Sequence, residues 1–165
     1  MKILYTFILL VSVHEIVSGT PQTLDKIIHY GKEYVLLTYP MESFFEKYPE
    51  KRPKNIVQST GLTRGYVATF EIIDDQLYLK DIEIIVVERS EEKPVSVNWK
   101  SVKYEVFPNQ DLVKIDWITG ELVCTKEDMR FASNRCFIVL EFTDGNLNSL
   151  HYSDSNKYNY VFPCR

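Results

Sequence analysis

A mainly antiparallel β-sheet with two short helices, in the α+β class and curled toward a partial barrel, is the fold this sequence predicts. Three observations predict it. Apolar and polar residues alternate over short runs through most of residues 26–152, the period-two pattern of half-buried strands. Turn signals such as Asp74–Asp75 and Asp144–Gly145 separate successive runs, which favours neighbouring strands that reverse direction. Helical spacing occurs in only two places, too few for the strand–helix alternation of a parallel sheet.

The elements follow in order. KIIHYGKEYVLLT (26–38) reads as two strands around a Gly31–Lys32 turn. A short helix is predicted over 41–47: Thr38 suits a cap, Pro40 suits a first turn, Phe44 and Phe45 give an apolar side, and Pro49 and Pro53 stop it. Ser59, Thr60 and Gly61 break the chain, and alternation resumes from Tyr66 to Ile73. QLYLKDIEIIVVER (76–89) is the longest β-rich run, and its unalternating IIVV (84–87) predicts cover on both faces. Residues 90–96 are polar and read as a loop. Trp99, Val102, Val106 and Phe107 recur at helical spacing, so 97–110 reads as a second amphipathic helix ended by Pro108. DLVKIDWITGELVC (111–124) alternates and turns at Thr119–Gly120, and 135–152 forms a hairpin about Asp144–Gly145. The tail begins polar and ends aromatic. The count comes to about eight or nine short strands.

The 165 residues suit one domain. Lys2 precedes an apolar run from Ile3 to Val13, shorter than the ~20 residues a spanning helix needs. It fits the hydrophobic region of a signal peptide, with the small Val17 and Gly19 before a cut at Thr20. The expectation is a signal peptide over 1–19, a single globular domain over 20–165, and a secreted or periplasmic location. The same run would also serve as a buried terminal strand or helix. No lipobox cysteine follows it, so no membrane anchor is expected in the mature chain.

Nineteen basic and 23 acidic residues leave a net charge of −4, which argues against sequence-independent nucleic-acid binding. The basic segment EKYPEKRPK (46–54) is interleaved with glutamates and reads as a solvated surface. The cysteines are Cys124, Cys136 and Cys164. Cys124 ends one strand-like run and Cys136 begins the next, which allows a disulfide between them; the alternative is two small buried apolar side chains. No spacing of Cys and His suggests a metal, and no phosphate-loop or dinucleotide signature suggests a cofactor.

Catalytic constellations are scarce. A mature chain keeps only His29 and His151, and no nucleophile-elbow or zinc-protease motif occurs. Carboxylates are plentiful (Glu71, Asp81, Glu83, Glu105, Asp116, Glu121, Glu141), but abundance alone does not make the opposed pair a glycosidase needs. Arg64 is the sharper feature. Its planar guanidinium suits a carboxylate, so it either clamps Glu71, Asp81 or Asp116 across the sheet or faces a ligand beside Tyr66. Gly61 and Gly65 allow either backbone path. Aromatics total 22 residues, enough that Tyr78, Trp99, Tyr104 and Trp117 suggest a cleft. The binding candidates are Arg64, Tyr66, Tyr78, Trp99 and Trp117.

The stretches YGKEYVLLTYPMESFFEKYPEKRPK, STGLTRGYVATFEIIDDQLYLKDIEI, WKSVKYEVFPNQ and VKIDWITGEL resemble a family of small uncharacterised bacterial proteins. That family carries a pattern of the form S-T-A-L-W-R-G-Y-x-A-T-F/W-E-I followed by L-Y-L-x-D-I. The resemblance spans roughly residues 26–122, and Ser59, Thr60, Leu62, Arg64, Gly65, Tyr66, Ala68, Thr69, Phe70 and Glu71 match. Gly61 stands for the alanine and Thr63 for the tryptophan. The resemblance implies export and one small domain, and supplies no activity. The functional expectation is therefore a non-catalytic exported binding protein with a protein partner. The alternatives are a carboxylate-dependent hydrolase with a site near Arg64, and an immunity-type protein that neutralises a toxin.

Overall fold

The computed structural model describes residues 20–54, 56–90, 93–126 and 137–153. Nine strands join one sheet: β1 Lys26–His29, β2 Lys32–Leu36, β3 Tyr66–Ile73, β4 Gln76–Ser90, β5 Lys93–Ser101, β6 Val113–Lys114, β7 Gly120–Thr125, β8 Phe137–Thr143 and β9 Asn146–Ser153. Two helices accompany them, α1 Pro40–Lys47 and α2 Lys103–Val106, with a 3-10 turn at Pro49–Lys51. The strand order is β3-β1-β2-β7-β8-β9-β4-β5, and β3 also pairs with β4, so the sheet closes on itself in a ring. Among the described residues every strand pairing is antiparallel but one: β1 runs parallel to β3.

Three tight turns set the antiparallel registers. Tyr30–Gly31, Asp74–Asp75 and Asp144–Gly145 all have positive φ, the twist that matches hairpin strands. The first turn falls one residue earlier than Gly31–Lys32. The parallel pair needs a crossover, and the chain supplies it through α1, the 3-10 turn and the 59–65 loop.

Inward positions fill one core. On β3 these are Tyr66, Ala68, Phe70 and Ile72, and on β4 Leu77, Leu79, Ile82 and Ile84. The β4 series changes phase because Thr69 pairs with Asp81 while Phe70 pairs with Leu79, so Lys80 bulges. The bulge sets which residues of the following IIVV run face inward. The run is not covered on both faces: Ile84 is buried, Ile85 and Val86 are half-buried, and Val87 is exposed. Helix α1 adds Met41, Phe44 and Phe45 to the same core. Its cap is Tyr39 rather than Thr38.

Three further expectations fail. Residues 90–96 are not a loop throughout, because β4 runs to Ser90 and β5 begins at Lys93. Residues 97–110 are not one helix: β5 runs to Ser101 along β4, with Trp99 opposite Ile85, and α2 is a single turn. The long ladder to β4 outweighs helical spacing that only Val102, Val106 and Phe107 go on to use in the core. Residues 111–124 are not a hairpin about Thr119–Gly120, because β6 pairs with β4 whereas β7 pairs with β2 and β8.

The ring closes at a narrow seam. Only Gln76 and Asn146 pair between β4 and β9. The buried Gln76 amide reinforces the seam by donating to the carbonyls of Leu77, Ile115 and Gly145 at 3.1, 2.9 and 3.0 Å. Leu77 N–H also donates to the Gly145 carbonyl, at 2.8 Å.

Candidate functional site

Parallel pairing of β1 and β3 brings the residues that precede each strand side by side. The 59–65 loop therefore lies against residues 20–25. Thr23 N–H donates to the Gly61 carbonyl at 2.7 Å. Gln22 Oε1 accepts from Thr63 N–H and Thr63 Oγ1 at 3.2 and 2.9 Å. Arg64 completes the join. One guanidinium nitrogen, Nη2, donates to the Thr23 carbonyl at 2.9 Å. The other, Nη1, lies 3.1 Å from Asp25 Oδ1 as an ion pair, off the line of a hydrogen bond. The guanidinium also stacks 3.6 Å from the centroid of the Tyr39 ring and sits 5.3 Å from that of Tyr66.

Asp25 is thus the carboxylate that holds Arg64, and the three expected partners are engaged or placed elsewhere. Glu71 pairs with Lys80 at 3.0 Å. Asp81 accepts from Ile82 N–H and Ser101 Oγ at 2.8 and 2.6 Å. Asp116 is exposed beside Trp117. The reason is topological: Arg64 precedes its strand, so it faces the residues before β1 rather than the sheet partners of Glu71. A second charged group adjoins it. Tyr66 donates its hydroxyl to Glu42 Oε1 at 2.6 Å, and Arg52 grips both Glu42 oxygens at 3.1 and 2.8 Å.

Asp25 is fully buried, accepts from Ala68 N–H at 3.0 Å, and leaves Oδ2 without a hydrogen bond. Burial pushes its carboxyl up from 3.8 to about 6, against the opposing pull of Arg64 and the Ala68 N–H. A carboxyl raised in the folded state holds its proton more tightly there than when unfolded. Its contribution to stability is full below about 4 and is lost as pH rises through about 6. Denaturant unfolding of the protein and of Asp25→Asn across pH 3.5–8 checks this. The wild-type stability relative to the variant is expected to fall by about 3 kcal/mol over that window. A difference that rises with pH would contradict the assignment.

A large cavity lies elsewhere, between α1 and the segments around Phe107 and Trp117. It encloses about 550 Å³ and is lined by Ser43, Phe44, Lys47, Tyr48, Lys51, Phe107, Asp116 and Trp117. Phe107 and Trp117 are near-parallel at 9°, with centroids 6.5 Å apart. Phe44 fits against both, at 5.1 Å from Phe107 and 4.8 Å from Trp117, and touches Tyr48 at 5.0 Å. Lys51 donates to the Val106 carbonyl at 3.2 Å, while Lys47 lies 5.3 Å over the Tyr48 ring. The Trp117 indole N–H is buried without a hydrogen-bond partner.

The five binding candidates do not converge. Arg64 and Tyr66 share the Asp25 network, and Trp117 lines the aromatic cavity. Tyr78 is half-buried on β4 opposite Glu71 and Lys114, and Trp99 stands exposed on β5. Sequence reasoning missed Asp25, Tyr39, Glu42 and most of the cavity wall. Part of that wall had a signal: Phe44, Lys47, Tyr48 and Lys51 follow i, i+3, i+4, i+7 spacing, one face of a helical run. Cys124 carries a free, buried thiol, and its expected partner Cys136 lies outside the described residues. Among the described residues no cluster of His, Cys, Asp and Glu is arranged to hold a metal, and no helix is long and apolar enough to cross a membrane.

No family model, curated protein or solved structure matches this chain.

Proposed function

We propose that this chain is an exported, non-catalytic binding protein that recognises a protein partner through the cavity between α1 and Trp117. One observation carries the reading: among its described lining residues this cavity has four aromatic rings and a single carboxylate, Asp116. Tyr and Trp side chains in a well-packed pocket are the usual anchors of protein recognition. Lys47 and Lys51 at its edge suit an aromatic or aliphatic side chain flanked by an acidic residue. The hydrolase reading needs two opposed carboxylates and an available Arg64, whereas Arg64 is already held by Asp25, Thr23 and Tyr39. The immunity-type version draws on the net charge of −4 alone. Export rests on the character of residues 1–19.

The test begins with proteins enriched on the purified chain from the envelope or culture medium of its source. An enriched protein is then purified and titrated. Trp117→Ala is expected to weaken the complex at least about tenfold, the scale of an anchoring aromatic. Lys47→Glu, an exposed change that leaves the core alone, is expected to weaken it by a smaller factor. A complex indifferent to both variants refutes the cavity as the recognition surface. Hydrolysis abolished by Asp116→Asn refutes the non-catalytic reading.

A further inference from the structure

We propose that the open mouth of the sheet ring, between the β1–β2 hairpin and β7–β9, is a second binding site that takes a small monoanion with an apolar body. It is separate from the aromatic cavity and does not depend on the function proposed for that cavity.

The site follows from the pairing pattern. Among the described residues β2 and β7 share two paired positions, Val35 with Thr125 and Leu36 with Cys124. Apart from Leu37 N–H, which donates to the Val123 carbonyl at 2.8 Å, no further ladder pair joins the β1–β2 hairpin to β7 among the described residues. A cavity of about 290 Å³ occupies the gap. Its strand residues all sit on one face by register: Ile27 opposes Tyr34, Cys124 opposes Ile138, Ile138 opposes Tyr152 and Leu140 opposes Leu150. These positions continue the core series, so the cavity is where the core of the ring meets solvent. Barrel mouths are common ligand sites for this reason.

The chemistry narrows the occupant. The volume equals that of about ten waters, so the ligand is small. The deep wall is aliphatic, formed by Ile27, Ile138 and Leu140. Cys124 keeps it apolar, because burial pushes the thiol up to about 12 and it stays protonated. Polar groups gather at the rim: Lys32, His29 and the tyrosines. Among the described residues lining this cavity none is acidic, and Lys32 forms no ion pair. The exposed ammonium of Lys32 faces His29 across the hairpin. Burial lowers the His29 pKa, so near neutral pH the ring serves as a hydrogen-bond donor rather than a second cation. One net positive charge above an apolar well suits one negative charge on an apolar body. A neighbouring cleft shares His29, Tyr30 and Leu150 and contains Asp75. That carboxylate disfavours a second negative charge on the ligand.

Methyl-resolved NMR titration of the purified protein with octanoate, 1-octanol and octylamine tests the proposal. Octanoate is expected to give saturable shifts at Ile27, Ile138, Leu140 and Leu150, with octylamine binding at least about fivefold more weakly. Lys32→Ala, at the exposed start of β2, is expected to weaken octanoate about fivefold while leaving 1-octanol within about twofold. Leu150→Trp, at a position 38% exposed and so tolerant of bulk, is expected to block all three probes. Octylamine binding as tightly as octanoate, or no loss in Lys32→Ala, overturns the anion assignment. Absence of saturable shifts at these methyls overturns the site.

Discussion

Replacing Arg64 by alanine is expected to cost about 3–5 kcal/mol of folding stability at pH 8, because it leaves a buried carboxylate unpaired. Asp25 is fully inaccessible and Arg64 is only 11% exposed at its side chain. The lost group also donates to the Thr23 carbonyl and covers Tyr39, so residues 20–25 lose their strongest attachment to the 59–65 loop. The cost is expected to shrink at pH 5, where Asp25, already pushed up to about 6, escapes by keeping its proton. The double variant Asp25→Ala/Arg64→Ala is expected to cost clearly less than the sum of the singles, the mark of a direct pair. Urea unfolding at both pH values measures all of this. An Arg64→Ala protein within about 1 kcal/mol of wild type at pH 8 would show that the clamp holds nothing.

Gly145→Ala is expected to be more disruptive still, at more than about 4 kcal/mol or with loss of soluble protein. Gly145 has φ +74°, and a Cβ there would collide with the backbone carbonyl of Ile115 and press on Gln76 Nε2. Backbone does not yield as a flexible side chain does. Relief would require moving residues 115–118, which also receive the Gly145 N–H at the Ile118 carbonyl. Gly31→Ala is the matched control: its φ is +71°, yet a Cβ there meets nothing. It is expected to cost only about 1 kcal/mol of backbone strain. If thermal unfolding finds the two substitutions equally mild, the close approach at the seam is not real.

The fold class and most strands were legible because alternation and turn residues act locally. Asp144–Gly145 specifies its own hairpin whatever lies around it. The errors occurred where a distant strand decides. Trp99 keeps helical spacing with Val102, yet its backbone lies in β5, paired with β4. The β4 bulge at Lys80 arises from a pairing choice with β3, so nothing within the β4 run announces it. The candidate site was half legible for the same reason. Arg64 stands out from its neighbours, but Asp25 lies 39 positions earlier and becomes its partner only through a parallel pairing between strands. A local reading offered Glu71, Asp81 and Asp116, which are nearer in sequence or plausible across hairpins.

The single-residue junction between Gln76 and Asn146 joins positions 70 apart in the chain. Such distant ends meet late, because loop-closure entropy is spent before the contact returns anything. The β3–β4 and β8–β9 hairpins are therefore free to assemble first and independently, and their docking through the Gln76 amide becomes the slow event. Refolding on the millisecond-to-second scale of long-range β topologies follows. Substitution at Gln76 should then slow folding more than it speeds unfolding.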